Sequence, residues 1–130
     1  MRYSSSPREV SMRRLWYQAV LRRMLVLFDH VTPAGVADCL AGHTVIKAKD
    51  RGWDTLSNGD LLRSAERAGF DVILTADKNM RNQQNLEGRR VALVVLSTPQ
   101  WPVVKKNLDK IAAAVGSARP GSYIEVELSA

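Results

Sequence analysis

The sequence predicts an α/β fold, a three-layer α/β/α sandwich around a mainly parallel central sheet, on three observations. Two apolar runs, Leu25-Val26-Leu27-Phe28 and Val72-Ile73-Leu74-Thr75-Ala76, lack polar alternation, as strands covered on both faces require, and each stops on a carboxylate, Asp29 or Asp77. Stretches of strand character alternate with stretches of helical periodicity along the whole chain, which is the order of βαβ units with right-handed crossovers. The last run, Tyr123 to Leu128, alternates strictly between apolar and polar residues and reads as a half-solvated edge strand.

Each element has its own signal. After Asp29, Thr32-Pro33 reads as a helix start, a hydroxyl N-cap followed by proline at the first helical position. Val36, Ala37, Leu40 and Ala41 recur at helical spacing, and Gly42 ends the segment. His43 to Ile46 is a short strand, followed by a polar stretch, Lys47 to Trp53, in which Trp53 anchors the loop. Ser57-Asn58-Gly59-Asp60 opens the next helix, with Leu61, Leu62, Ala65 and Ala68 as its apolar face and Gly69 as its stop. Asp71 to Thr75 is the third strand, and Lys78 to Leu86 is polar and helical in part. Val91 to Leu96 is the most apolar strand. Trp101-Pro102 then leads one helix through Val103, Val104, Leu108, Ile111, Ala112 and Val115, before a turn at Pro120-Gly121.

A chain of 130 residues makes one ordinary domain, and 45% hydrophobic with 25% charged residues excludes the disordered and membrane classes. No apolar run approaches the roughly 20 residues of a membrane span. A single cysteine, Cys39, with two histidines makes neither an internal disulfide nor a structural zinc site, and a cytoplasmic location fits this usage. The net charge of +6 is concentrated at one end. Residues 1–23 carry six arginines against Glu9 alone, whereas the remainder is nearly balanced. The expected organisation is therefore a basic N-terminal extension, 1–23, and a folded domain, 24–130. The extension reads as an unstructured basic arm, a partner helix around Leu15 to Val20, or a segment ahead of a natural start at Met24.

In a parallel sheet, strand carboxyl ends and helix starts share one rim, so Asp29, Asp60 and Asp77 are expected to converge on one crevice. Carboxylates that close repel one another unless a cation sits between them. Oxygen-only ligation suits Mg²⁺ or Mn²⁺, and such ions serve phosphodiester hydrolysis. Against this stand simpler roles: Asp29 bonding loop amides, Asp60 favouring a helix dipole, and Asp77 acting as the N-cap of the segment that follows. Lys78 and Arg81 are candidates for tracking a phosphate backbone, or else part of a solvated face.

The motifs Leu-Phe-Asp-His (27–30), Arg-Gly-Trp-Asp-Thr-Leu-Ser-Asn-Gly-Asp-Leu-Leu (51–62) and Ile-Leu-Thr-Ala-Asp-Lys-Asn-Met (73–80) resemble the PIN-like domain family of bacterial toxin-antitoxin toxins. The resemblance runs from about Met24 to Leu96. It implies a PIN-like fold, a metal-dependent ribonuclease site with Asp29, Asp60 and Asp77 as metal-ligating and catalytic residues, and an antitoxin partner. Asn58 would join Lys78 and Arg81 at the substrate. His30, Asn58 and Asn79 stand where the family tends to have acids, which leaves three carboxylates for a single ion.

The expected function is a Mg²⁺- or Mn²⁺-dependent endoribonuclease of toxin type, cleaving RNA. The alternative is a catalytically silent PIN-like module that binds RNA or a partner protein. A phosphoacceptor domain of receiver type lacks its adjacent acidic pair here, and haloacid-dehalogenase chemistry lacks an acid two residues after Asp29. The alternating last strand could extend another chain's sheet edge and support a homodimer.

Overall fold

The computed structural model of the protein describes residues 23–83, 86 and 88–130. The expectations for the N-terminal extension and for the partner helix within it lie outside these residues. Among the described residues five strands form a single sheet: β1 (Leu25–Phe28), β2 (Thr44–Lys47), β3 (Val72–Thr75), β4 (Ala92–Leu96) and β5 (Tyr123–Val126). Their spatial order is β2-β1-β3-β4-β5, and every neighbouring pair is parallel. The sheet is thus entirely parallel.

The unbroken apolar runs are explained by burial on both sides. Because side chains alternate across a strand, Val26, Phe28, Val72, Leu74, Val94 and Leu96 join one apolar cluster, whereas Leu27, Ile73, Leu93 and Val95 join a second. Val36, Leu40, Val104, Ile111 and Val115 pack into the first. Leu61, Leu62, Ala65, Phe70 and Met80 pack into the second. A one-residue slip of β3 would exchange these two sets, so its register is strongly fixed.

Helix α1 (Asn58–Arg67) begins as its sequence predicts, with the Ser57 hydroxyl accepting the Asp60 N–H at 3.2 Å. It ends in a Schellman arrangement. Gly69, at φ 86°, donates to the Glu66 carbonyl, and the Phe70 N–H reaches back to the Ala65 carbonyl at 2.9 Å. Phe70 is thereby delivered into the second cluster. Helix α2 (Lys78–Gln83) follows β3 after two residues.

Three expectations are corrected. The segment after Asp29 is a 3-10 helix, Ala34–Leu40, capped by Pro33 with no side-chain bond, because the Thr32 hydroxyl is turned to other partners. The expected single helix from Trp101 to Val115 is two, α3 (Trp101–Lys105) and α4 (Leu108–Ser117). Between them Asn107 leaves helical geometry at φ −122° and is buried; its amide donates to the carbonyls of Val103 and Ser129 at 2.7 and 2.8 Å. That side chain ties the break to the C-terminal segment. The last strand ends at Val126 rather than Leu128 and lies at the sheet edge, as its alternation predicts.

Strand order 2-1-3-4-5 reverses direction between β1 and β3, since the chain leaves β1 towards one side and later returns to pair β3 on the other. In open parallel sheets the crevice beyond the carboxyl ends at such a reversal is the usual ligand site. Asp29 follows β1, and Asp77 follows β3, at this point.

Candidate functional site

Asp29 is 5% exposed, and its two carboxylate oxygens are already engaged. Oδ2 accepts from the Thr75 hydroxyl in a short hydrogen bond. Oδ1 faces the Thr32 hydroxyl at 2.8 Å and accepts the Val31 N–H at 3.2 Å. Burial pushes the Asp29 carboxyl above its ordinary value, while the Thr75 and Thr32 hydroxyls, the charge of His30 and the Val31 amide oppose the rise.

Thr75 is fully buried at the end of β3 and also accepts the Asp77 N–H at 3.0 Å. One hydroxyl therefore joins the two strand-end aspartates. The carboxylate of Asp77 accepts the Asn79 N–H at 2.9 Å, and the Asp77 carbonyl accepts the Met80 N–H at 3.1 Å, so Asp77 performs the N-cap role for α2.

Asp60 takes a different course. It is exposed in the first turn of α1, where it pairs with Arg63 one turn on; that guanidinium, then the Ser57 hydroxyl, hold its carboxyl below the usual range. Its preferred partner on the solvated helix face is local. Asp29, Asp60 and Asp77 are thus each bound to neighbouring groups of the chain. Among the described residues no group of three or more His, Cys, Asp or Glu stands where it could hold a metal ion. As they stand, the three carboxylates expected to share Mg²⁺ or Mn²⁺ each have a partner of their own: Thr75 and Thr32 for Asp29, Arg63 for Asp60 and the Asn79 amide for Asp77.

The substrate residues also separate. Lys78 lines a cavity of about 300 Å³ at the ends of β4 and β5, with Ser97, Glu125 and Glu127. Asn58 opens α1, and the Arg81 side chain lies outside the described residues. What borders Asp29 instead is a cavity of about 220 Å³ lined by Asp29, His30, Thr32, Ala34, Lys47, Lys49 and Asp54. Lys47 is paired in register with Phe28, so the parallel pairing of β1 and β2 carries it to the same rim as Asp29.

Sequence reasoning missed Thr32, Thr75, Lys47 and Lys49. The signal for Thr75 was present: a hydroxyl inside an otherwise apolar strand has to find a buried partner. No local pattern marked the two lysines, whose place follows from strand order alone. Comparison of the chain with protein-family models, curated proteins and solved structures gives no match.

Proposed function

We propose that the chain is a PIN-like module that binds RNA through its phosphate backbone without hydrolysing it. The observation that carries this reading is the cavity beyond the carboxyl ends of β1 and β2: Lys47, Lys49 and His30 line it, while the oxygens of Asp29 are directed to Thr75, Thr32 and Val31. Lysine ammonium groups seat phosphate oxygens, and such contacts position a nucleic acid without reading its sequence. Asp54 and Asp29 line the same cavity, so the two lysines share it with carboxyl groups.

The test is fluorescence anisotropy with a labelled, unstructured RNA at two salt concentrations, using the wild type and a Lys47→Ala/Lys49→Ala variant. Loss of both cations should weaken binding and reduce the salt slope by about 0.7 per phosphate contact removed. Equal binding by the two proteins would sink the reading.

A second reading, a metal-dependent endoribonuclease acting as the toxin of a toxin-antitoxin pair, is favoured by the Thr75 hydroxyl that joins Asp29 to Asp77 at one rim. It requires at least one carboxylate to leave its present partner on binding. Cleavage of the same RNA with Mn²⁺, abolished by EDTA and by Asp29→Asn, would favour it over the binding module. Co-purification with the neighbouring gene product would supply the antitoxin.

A further inference from the structure

We infer that the exposed indole of Trp101 stacks on an unpaired base of an RNA strand whose phosphates reach Lys47 and Lys49 on the same rim of the sheet. The inference rests on the RNA-binding reading above and narrows it to single strands.

Because the strands are all parallel, the segments that leave their carboxyl ends emerge on one rim. Lys47 closes β2, and Trp101 opens α3 after the connection that follows β4. In the order β2-β1-β3-β4 those two ends are three strand spacings apart, about 14 Å, on either side of the reversal between β1 and β3. Adjacent residues join the two places. Ala34 lines the lysine cavity, and the next residue, Gly35, seats the outer edge of the Trp101 ring.

That seat is close-fitting. A methyl group on Gly35 would stand 2.3, 2.7 and 2.8 Å from Cη2, Cζ3 and Cζ2 of the indole. Trp101 is thus held at one edge while 38% of its surface stays open. Val104, from the same helix, makes the core contact in its place, so the indole is spared for a partner. Trp53 differs: its ring carries the Arg51 guanidinium at 5.4 Å from the centroid and meets Phe70 edge-on at 5.9 Å.

Charge follows the same line. Lys105, at i+4 from Trp101, shares its helix face and is exposed, and α3 has no acid in its first turn. The acids nearest on the neighbouring elements, Asp38 and Asp109, stand by the Cys39 thiol, further along the 3-10 helix from Gly35. Lys47 and Lys49, then an open ring, then Lys105 is the alternation of cation and aromatic that single-strand surfaces use. A duplex hides the faces of its bases, and an acidic peptide would match the lysines but leave the indole without a planar partner.

The experiment compares oligouridine RNA with an abasic oligomer of equal length and charge, with a duplex and with an acidic peptide. The full chain is used as wild type, Trp101→Ala and Trp101→Phe. Wild type should bind oligouridine about tenfold more tightly than the abasic strand. Trp101→Ala should bring oligouridine down to the abasic level, and Trp101→Phe should keep most of the preference. Equal wild-type affinity for the base-bearing and abasic strands overturns the base site but leaves the backbone reading intact. A Trp101→Ala variant that keeps the preference, or a duplex or acidic peptide bound better than oligouridine, overturns it too. No binding to any strand overturns both readings.

Discussion

The hydroxyl of Thr75 donates to Asp29 Oδ2 while accepting the Asp77 N–H, so the ends of β1 and β3 are tied by one buried oxygen. Thr75→Val keeps the shape and removes the bridge. It leaves a buried carboxylate oxygen without its donor and an amide without its acceptor, a loss of about 1–3 kcal/mol. Urea unfolding measures it, and Thr75→Ser should recover most of the stability. Unchanged stability in Thr75→Val would show that water replaces the bridge.

Asp29 gives the stability a pH dependence of definite sign. Burial is the first cause of its raised carboxyl value. A carboxyl raised on folding binds its proton more tightly in the native state, so its contribution is full below the unfolded value and lost as pH rises through the native one. Geometry agrees. The Thr32 hydroxyl has one proton but lies 2.8 Å from both Asp29 Oδ1 and the Leu74 carbonyl, and a protonated Asp29 satisfies both contacts. Unfolding free energy followed upward from about pH 4 should decline more steeply in wild type than in Asp29→Asn. Parallel curves would remove Asp29 as the source.

Glu66 has the opposite sign. Its Oε2 accepts the Arg90 N–H at 2.6 Å and its Oε1 pairs with Arg89 at 3.0 Å, and these contacts, led by the Arg90 amide, hold it below the ordinary carboxyl range. Its contribution is present above the unfolded value and lost as pH falls through the native one. Glu66→Gln keeps an acceptor for Arg90 but loses the ion pair, and should cost less than Glu66→Ala, which costs about 1 kcal/mol. Thermal unfolding at neutral pH should rank the three proteins in that order.

Gly35 is required by Trp101 rather than by its own backbone. A methyl group there would stand 2.3 Å from the indole Cη2. Gly35→Ala should therefore destabilise by about 1–3 kcal/mol, the usual range for overpacking. Because Trp101 keeps 38% of its surface exposed, the ring has somewhere to go, which favours the lower end. In a double-mutant cycle with Trp101→Ala the two costs should be less than additive. Strict additivity would mean the clash is relieved elsewhere.

The sequence by itself determined the alternation of strand and helix, the β1, β3 and β4 cores, the Ser57 start and Gly69 stop of α1, and the placing of Asp29 and Asp77 at strand ends. These are local matters: runs of Val, Leu and Ile have to be buried on both faces, and a hydroxyl or a glycine completes a helix end by bonding or bending within a few residues. Even the capping role open to Asp77 was visible, since its partners lie at Asn79 and Met80. The tertiary structure alone decided which charges share a space. Asp60 was expected beside the other two acids but pairs with Arg63 on its own helix. Lys47 and Lys49 border Asp29 because β2 pairs with β1 in parallel, 19 residues along the register from Leu25 to Thr44. The physical reason is that hydrophobic period and caps act through near neighbours, whereas the partner of a carboxylate is chosen by strand order, which no short stretch of sequence contains.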